Sequence, residues 1–338
     1  MADAWRRVGL IVNPVAGLGA DESLRVARTA IERCGAREVS TGPGELGAAA
    51  LTGWTGRVET PGDIAFPAPR RTRALARWMV GRPLDAVIVV GGDGTLSDAA
   101  LEIANTIPIV GIGTGSTNVG RLVTCRAAQV PSLDVDELET WNVDALLASV
   151  NDEVVGLGFN DVVIGTTIVG TLDGRRCDLS ATDRARGESV PATPRSIGGP
   201  TTKVTRIGRG TATLVAQGES VGTVVAGFAE PAFFGKAVTG GVCLASLAGM
   251  VAACLVSDVP LARVGMTADV LETAAPIRSA YVSLAEEVGI VVEGVEDGAV
   301  LCVDGNPTQI LCLSDHVGIV ARKGAVVGVR ARQRVRSV

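Results

Sequence analysis

The 338-residue chain contains one histidine, one tyrosine and, among 31 basic residues, only three lysines. The lone His316, in Ser314-Asp-His316 at an expected turn, leaves no assembled Ser-His-Asp arrangement. It also cannot complete a zinc site with the seven cysteines at 34, 125, 177, 243, 254, 302 and 312, none of which forms a Cys-x-x-Cys pair. Those thiols read as small core residues in a reducing compartment. Aromatics make up 3% of the chain, and the net charge is −5, so stacking platforms and the basic field that attract nucleic acid are both missing. Long apolar runs are scarce as well. Ala237 to Ser257 lacks charge over a membrane-span length, but it is rich in Gly, Ala, Ser and Cys and predicts a buried helix. The opening Met-Ala-Asp-Ala-Trp-Arg-Arg has no signal-peptide pattern, so a cytoplasmic protein with no membrane partner is expected.

What the chain does have is Asp85-Ala-Val-Ile-Val-Val-Gly-Gly-Asp-Gly-Thr-Leu96, an apolar strand that breaks into glycines around one acid. Strand-like and helix-like segments alternate around it: strands at 8–12, 38–40, 86–90 and 109–112, and helices at 21–34, 70–80 and 96–105. That alternation implies βαβ units and a mostly parallel sheet, so an α/β domain is expected over residues 1–130. Ligands of such sheets sit at the carboxyl ends of the strands, where the loops 13–19, 91–95 and 113–118 emerge. Short β-branched runs then predict a β-rich, β-sandwich-like domain over residues 131–329, with helices inserted at 242–256 and 268–287. Asp304-Gly305 and Lys323-Gly324 predict hairpin turns, 182–201 a surface loop, and 330–338 a basic tail.

Phosphoryl transfer needs a held polyphosphate, a metal to bridge its oxygens, and a base for the accepting hydroxyl. Gly91, Gly92 and Gly94 permit close backbone approach to phosphates, Asp93 suits a general base or a Mg²⁺ ligand, and Thr95 adds a hydroxyl at the helix start. The loop Gly113, Thr114, Gly115, Ser116, Thr117 and Asn118 and the turn carrying Asn13 and Gly17 supply further phosphate or nucleotide contacts. Arg70, Arg71, Arg73 and Arg77 read as a solvated helix face, with a phosphate-binding face as the alternative.

Asn13-Pro14, the Gly-Gly-Asp-Gly-Thr run at 91–95 and the loop 113–118, in that order, resemble the superfamily of NAD kinases and the diacylglycerol and sphingosine lipid kinases. The resemblance implies an NAD kinase-like fold and a catalytic-base role for Asp93. It further implies ATP as donor with Mg²⁺, NAD as acceptor, and a homo-oligomer, dimer or tetramer. Gly158-Phe-Asn-Asp-Val-Val-Ile164 is similar to the Asn-Glu/Asp motif of NAD kinases, which carries a substrate-binding role onto Asn160 and Asp161. Leu301-Cys-Val-Asp-Gly305 looks like the Asp-Gly hairpin near the NAD kinase C-terminus. Ser40-Thr-Gly-Pro-Gly-Glu-Leu-Gly47 is similar to the AcoX-type subgroup of ATP-NAD kinase-like proteins. One departure stands out: Glu230-Pro-Ala-Phe-Phe-Gly-Lys-Ala-Val-Thr-Gly-Gly241 occupies the place of the Thr-Pro-Thr-Gly-Ser-Thr-Ala-Tyr-like loop. A kinase of another small-molecule or lipid-like alcohol and a non-catalytic nucleotide sensor therefore stand as alternatives to NAD phosphorylation.

Overall fold

The computed structural model describes residues 5–62, 70–115, 118–228, 250–261, 263–265, 267–273 and 276–332. The chain divides into two compact units, residues 5–144 with 323–332, and residues 145–322. The expected boundaries were 130 and 329; the observed first unit takes in residues 131–144 and recovers the chain at 323.

In the first unit β1 (Arg7–Val12), β2 (Glu38–Thr41), β3 (Arg57–Glu59), β4 (Ala86–Gly91), β5 (Ile109–Gly113) and β6 (Val123–Arg126) all pair in parallel, in the order β3-β2-β1-β4-β5-β6. The helices α1 (Ala20–Arg33), α2 (Arg71–Met79) and α3 (Asp93–Ile103) link these strands. A parallel sheet is covered on both faces, so its central strand loses the polar alternation of a half-exposed strand. Accordingly, every residue of β4, Ala-Val-Ile-Val-Val-Gly, is buried. Val8, Leu10 and Val12 join Ile88 and Val90 in a core with Val26, Ala27, Ala30 and Ile31 of α1. Gly9, of opposite parity, faces Met79 of α2: a Cβ there would stand 2.7 Å from its sulfur. The two helices therefore cover opposite faces. Register places Val12 beside Val90 and Gly91 beside Gly113, so β1, β4 and β5 end level with one another.

In the second unit β14 (Thr223–Phe228) is flanked by β15 (Ala252–Ser257) and β9 (Asp161–Gly165) in a six-stranded antiparallel sheet. Its other members are β16 (Ser279–Leu284), β18 (Val300–Val303) and β19 (Asn306–Ile310). A second antiparallel set runs β12 (Lys203–Gly208) with β13 (Thr211–Gln217), β17 (Val288–Glu293) and the first part of β20 (His316–Ala331). Val162, Ile164, Phe228, Cys254 and Leu301 from the first set share one core with Val204, Ile290, Val292 and Ile319 from the second, as expected of a sandwich-like unit. β7 (Leu138–Val150), β8 (Glu153–Gly158) and the hairpin of β10 (Thr167–Leu172) with β11 (Arg175–Ser180) complete the strands among the described residues.

Three expectations are corrected. The helix expected at 242–256 is not present over 252–256, which belongs to β15; residues 242–249 lie outside the described residues. All six residues of β15 are buried, and a continuous apolar run has no period that separates helix from strand. Of the helix expected at 268–287 the described residues form α5 (Ala268–Thr273), after α4 (Ala181–Ala185) in chain order, whereas 279–284 form β16; residues 274–275 lie outside the described residues. Pro276 cannot sit within a helix interior, and the Tyr281-Val282 pair suits a strand. The Lys323-Gly324 hairpin does not form: β20 runs straight through, with Gly324 at φ +55 and its N–H donating to Asp144 Oδ1 at 3.0 Å. The Asp304-Gly305 turn does form, both residues at positive φ as a two-residue hairpin turn requires.

Among the described residues the cysteines are free, and no helix is long and apolar enough to cross a membrane. Burial raises the Cys34 and Cys302 thiols to about 12 and Cys125 to about 11, and pushes Cys254 higher still. Unfolded thiols ionise near 9.0, so above that pH the unfolded chain sheds protons that the native chain keeps. Native stability is therefore present below pH 9 and declines as pH rises beyond it. Mass-mapped alkylation at pH 8 is expected to modify exposed Cys312 first, with Cys34, Cys254 and Cys302 protected until denaturant is added; equal rates would contradict this packing.

Candidate functional site

Because β1, β4 and β5 end level, the loops after them meet, and hydrogen bonds and close contacts tie them together. Asn13, just past β1, donates its backbone N–H to Val90 O at 2.9 Å and its side-chain Nδ2 to Thr95 Oγ1 at 2.8 Å. Its Oδ1 accepts from Val15 N–H at 3.3 Å and from the Arg71 guanidinium at 3.2 Å. Thr114 donates its N–H to Gly91 O at 2.9 Å. Gly17 sits at φ +35, where an added Cβ would stand 1.8 Å from Thr114 O, so the first loop lies against the third with no room for a side chain. A Cβ on Gly115 would stand 3.5 Å from Gly92 Cα, which brings the third loop onto the second.

Asp93 opens α3, where a carboxylate is favoured by the exposed N–H groups of the first turn. Its two oxygens accept N–H bonds from Val119 at 3.0 Å and Gly120 at 3.1 Å. Thr95 and Leu96 both donate N–H to Gly92 O, which turns the chain sharply from strand to helix. At Gly91 a Cβ would meet the Thr95 side chain at 2.6 Å, whereas Gly92 has open space where its Cβ would be. Gly94 is buried in the first turn of α3. Gly113 is packed beneath Asn118, whose amide closes the third loop by accepting from Gly115 N–H at 3.0 Å and donating to Gly115 O. Thr114 is 4% exposed, and its hydroxyl has no hydrogen-bond partner among the described residues. Ser116 and Thr117 lie outside the described residues.

The structure thus brings together Asn13, Gly17, Gly91, Gly92, Asp93, Gly94, Thr95, Gly113, Thr114, Gly115 and Asn118. The expected basic face divides. Glu102, 11% exposed, takes Arg73 Nε at 3.0 Å and both Nε and a terminal nitrogen of Arg77 at 2.9 Å. Arg71 alone of these arginines reaches the loops.

Asn160 and Asp161 belong to the second unit. Asp304, in the β18–β19 turn and 8% exposed, accepts N–H bonds from Phe159 at 2.8 Å, Asn160 at 2.8 Å and Asp161 at 3.0 Å. Its own N–H donates to Asp161 O at 3.0 Å, so two turns lock face to face. Asn160 Nδ2 donates to Asp161 Oδ2 at 3.0 Å, while Asn160 Oδ1 is buried with no hydrogen-bond partner among the described residues. Asp304 was legible only as a turn residue; that its carboxylate would organise the Asn160-Asp161 pair depends on a contact across 144 positions. His316 begins β20 and stands 3.4 Å from exposed Asp152, at the surface. The segment 230–241, with Lys236, lies outside the described residues.

Glycine loops gathered at the carboxyl edge of a parallel sheet define an α/β protein, and that edge is where sheets of this kind receive their ligands. Residues 8–122 match the model of the ATP-NAD kinase N-terminal domain. A protein of Archaeoglobus fulgidus described as uncharacterized is 33% identical over 229 residues, 67% of this chain and 69% of its own. The crystal structure of yeast NADH kinase complexed with NADH aligns over 97% of this chain and 84% of that one at 14% identity, with a TM-score of 0.48. The chain belongs to the ATP-NAD kinase-like family, a family of phosphotransferases.

Two substitutions test this wiring. Gly17→Ala is expected to destabilise the protein by ~2–4 kcal/mol through the clash with Thr114 O and the positive φ, measured by urea unfolding. Asp304→Ala orphans three backbone donors, one buried and two part-buried, and is expected to cost about 2 kcal/mol or more, at ~1–3 kcal/mol for the buried group left unpaired and less for the others; a change under ~1 kcal/mol would show that water replaces the carboxylate.

Proposed function

We propose that the protein is an ATP-dependent kinase that transfers a phosphoryl group to a hydroxyl, with NAD(H) as the first acceptor to test. The observation that carries this reading is the placement of Asp93: one carboxylate at the start of α3, held by two N–H groups of the third loop, amid glycine turns. These bonds orient the Asp93 carboxylate at the start of α3, where it is the acid that would act as base toward a bound hydroxyl. A polyphosphate chain fits the residues present. The backbone at Gly92 is open to close approach, and the buried Thr114 hydroxyl lacks, among the described residues, a partner that a phosphate oxygen would provide.

No group of three or more His, Cys, Asp or Glu residues among the described residues is arranged to hold a metal ion. Mg²⁺ bound to the nucleotide's own phosphates, as this ion commonly is, would neutralise charge on the phosphoryl group being transferred. Asp93 would take the proton of the attacking hydroxyl, and the amides at the start of α3 would hold the phosphates. Within the second unit, Asn160 and Asp161, fixed by Asp304, are the residues to which this reading gives a substrate-binding role. The family description supports ATP as donor and NAD as acceptor, and the Ser40–Gly47 segment favours the AcoX-type subgroup within it. The segment 230–241 favours, as a second reading, a different alcohol as acceptor.

Mass spectrometry of products formed from ATP, Mg²⁺ and a panel of hydroxylated metabolites including NAD and NADH is expected to reveal a phosphorylated dinucleotide. Asp93→Asn is expected to lower the rate on the order of 10²–10⁴-fold with nucleotide binding retained. Full turnover by the Asn variant would remove Asp93 from the base role, and nucleotide binding without product on any acceptor would favour a sensor.

A further inference from the structure

Glu102 accepts from both Arg73 and Arg77, which leaves it engaged on α2's side by two guanidinium groups. Arg71, two residues before Arg73, is half-buried and has no carboxylate partner among the described residues. Its one side-chain hydrogen bond among the described residues is to the neutral Oδ1 of Asn13 at 3.2 Å, which uses one of the five N–H donors of a guanidinium. The other end of the same amide bonds Thr95, third residue of α3, at 2.8 Å. A full positive charge thus stands one amide away from the positive end of a helix. In the free chain these two like-signed features oppose each other, and an anion placed between them satisfies both. Thr114, 4% exposed with an unpartnered hydroxyl, adds an independent polar group on the loop that contacts Gly17 and adjoins Gly92.

We infer that Arg71 is a substrate-positioning and specificity residue that grips the polyphosphate chain of the nucleotide over the start of α3. This rests on the nucleotide-binding part of the reading above and adds to it a residue and a preference. A planar guanidinium engages two phosphate oxygens at once, and the greater charge of a di- or triphosphate adds to that attraction, so Arg71 favours polyphosphates over monophosphates and, more strongly, over uncharged nucleosides. Asn13 serves it as a rest, holding the fork in place before the ligand arrives.

The test titrates the full-length protein and its Arg71→Gln and Arg71→Lys variants with sodium tripolyphosphate, ATP, AMP and adenosine by calorimetry. Arg71→Gln is expected to weaken tripolyphosphate and ATP about 10–100-fold while changing AMP less and adenosine not at all. Arg71→Lys keeps the charge but not the fork and is expected to lose roughly 3–10-fold. Tripolyphosphate binding undiminished in either folded variant, or absent from the wild type, overturns the inference; if the Gln variant does not fold, the Lys variant decides. Kinase failure is read separately. Wild-type protein that binds tripolyphosphate through Arg71 yet phosphorylates no acceptor leaves this inference standing and overturns the catalytic reading.

Discussion

Parallel pairing of β4 with β1 on one side and β5 on the other sends three chain exits to the same sheet edge, and the loops of the first unit depend on that constraint. With Val12 level with Val90 and Gly91 level with Gly113, the next residues of each strand are neighbours before any side chain acts. Complete burial of β4 holds the register, because a one-residue slip would reverse every side chain between faces covered by different helices. The glycines follow from the resulting crowding: Gly17 against Thr114, Gly91 against Thr95 and Gly113 against Asn118 leave no space for a Cβ.

On that edge the polar wiring is short and mostly neutral. Each bond from Asn13 is worth about 0.5–1.5 kcal/mol net, too little to define a fold but enough to set side-chain direction. The amide of Asn13 links the first loop to α3 and to α2, and the carboxylate of Asp93 links α3 to the third loop. The arrangement is a positioned acid among backbone donors, with one guanidinium whose charge no described acid balances.

The second unit solves a similar problem differently. Its antiparallel sheets bury a common apolar core, and its one dense polar cluster is built around a carboxylate in a hairpin turn. Asp304 adopts positive φ as the turn demands and spends both oxygens on the 159–161 backbone. The Asn160-Asp161 pair owes its conformation to a residue on another hairpin.

The sequence by itself determined the alternation of strands and helices over residues 7–113 except for β3, whose three exposed residues carry no apolar pattern, together with the β-rich character of the second unit, the glycine loops and the presence of Asp93 among them. These are local: hydrophobic period, turn chemistry and a strand that stops at glycines are all readable within a dozen residues. Apolar 252–256 and the stretch after 268 carried no such period, and only pairing with neighbours made strands of 252–257 and 279–284. Lys323-Gly324 looked like a turn, yet an acceptor on Asp144 let β20 continue through it. Likewise four arginines at 70–77 were equivalent as text. Only tertiary structure gave Glu102 to Arg73 and Arg77 and left Arg71 for the loops, because which charge finds a partner is decided by distances between segments far apart in the chain.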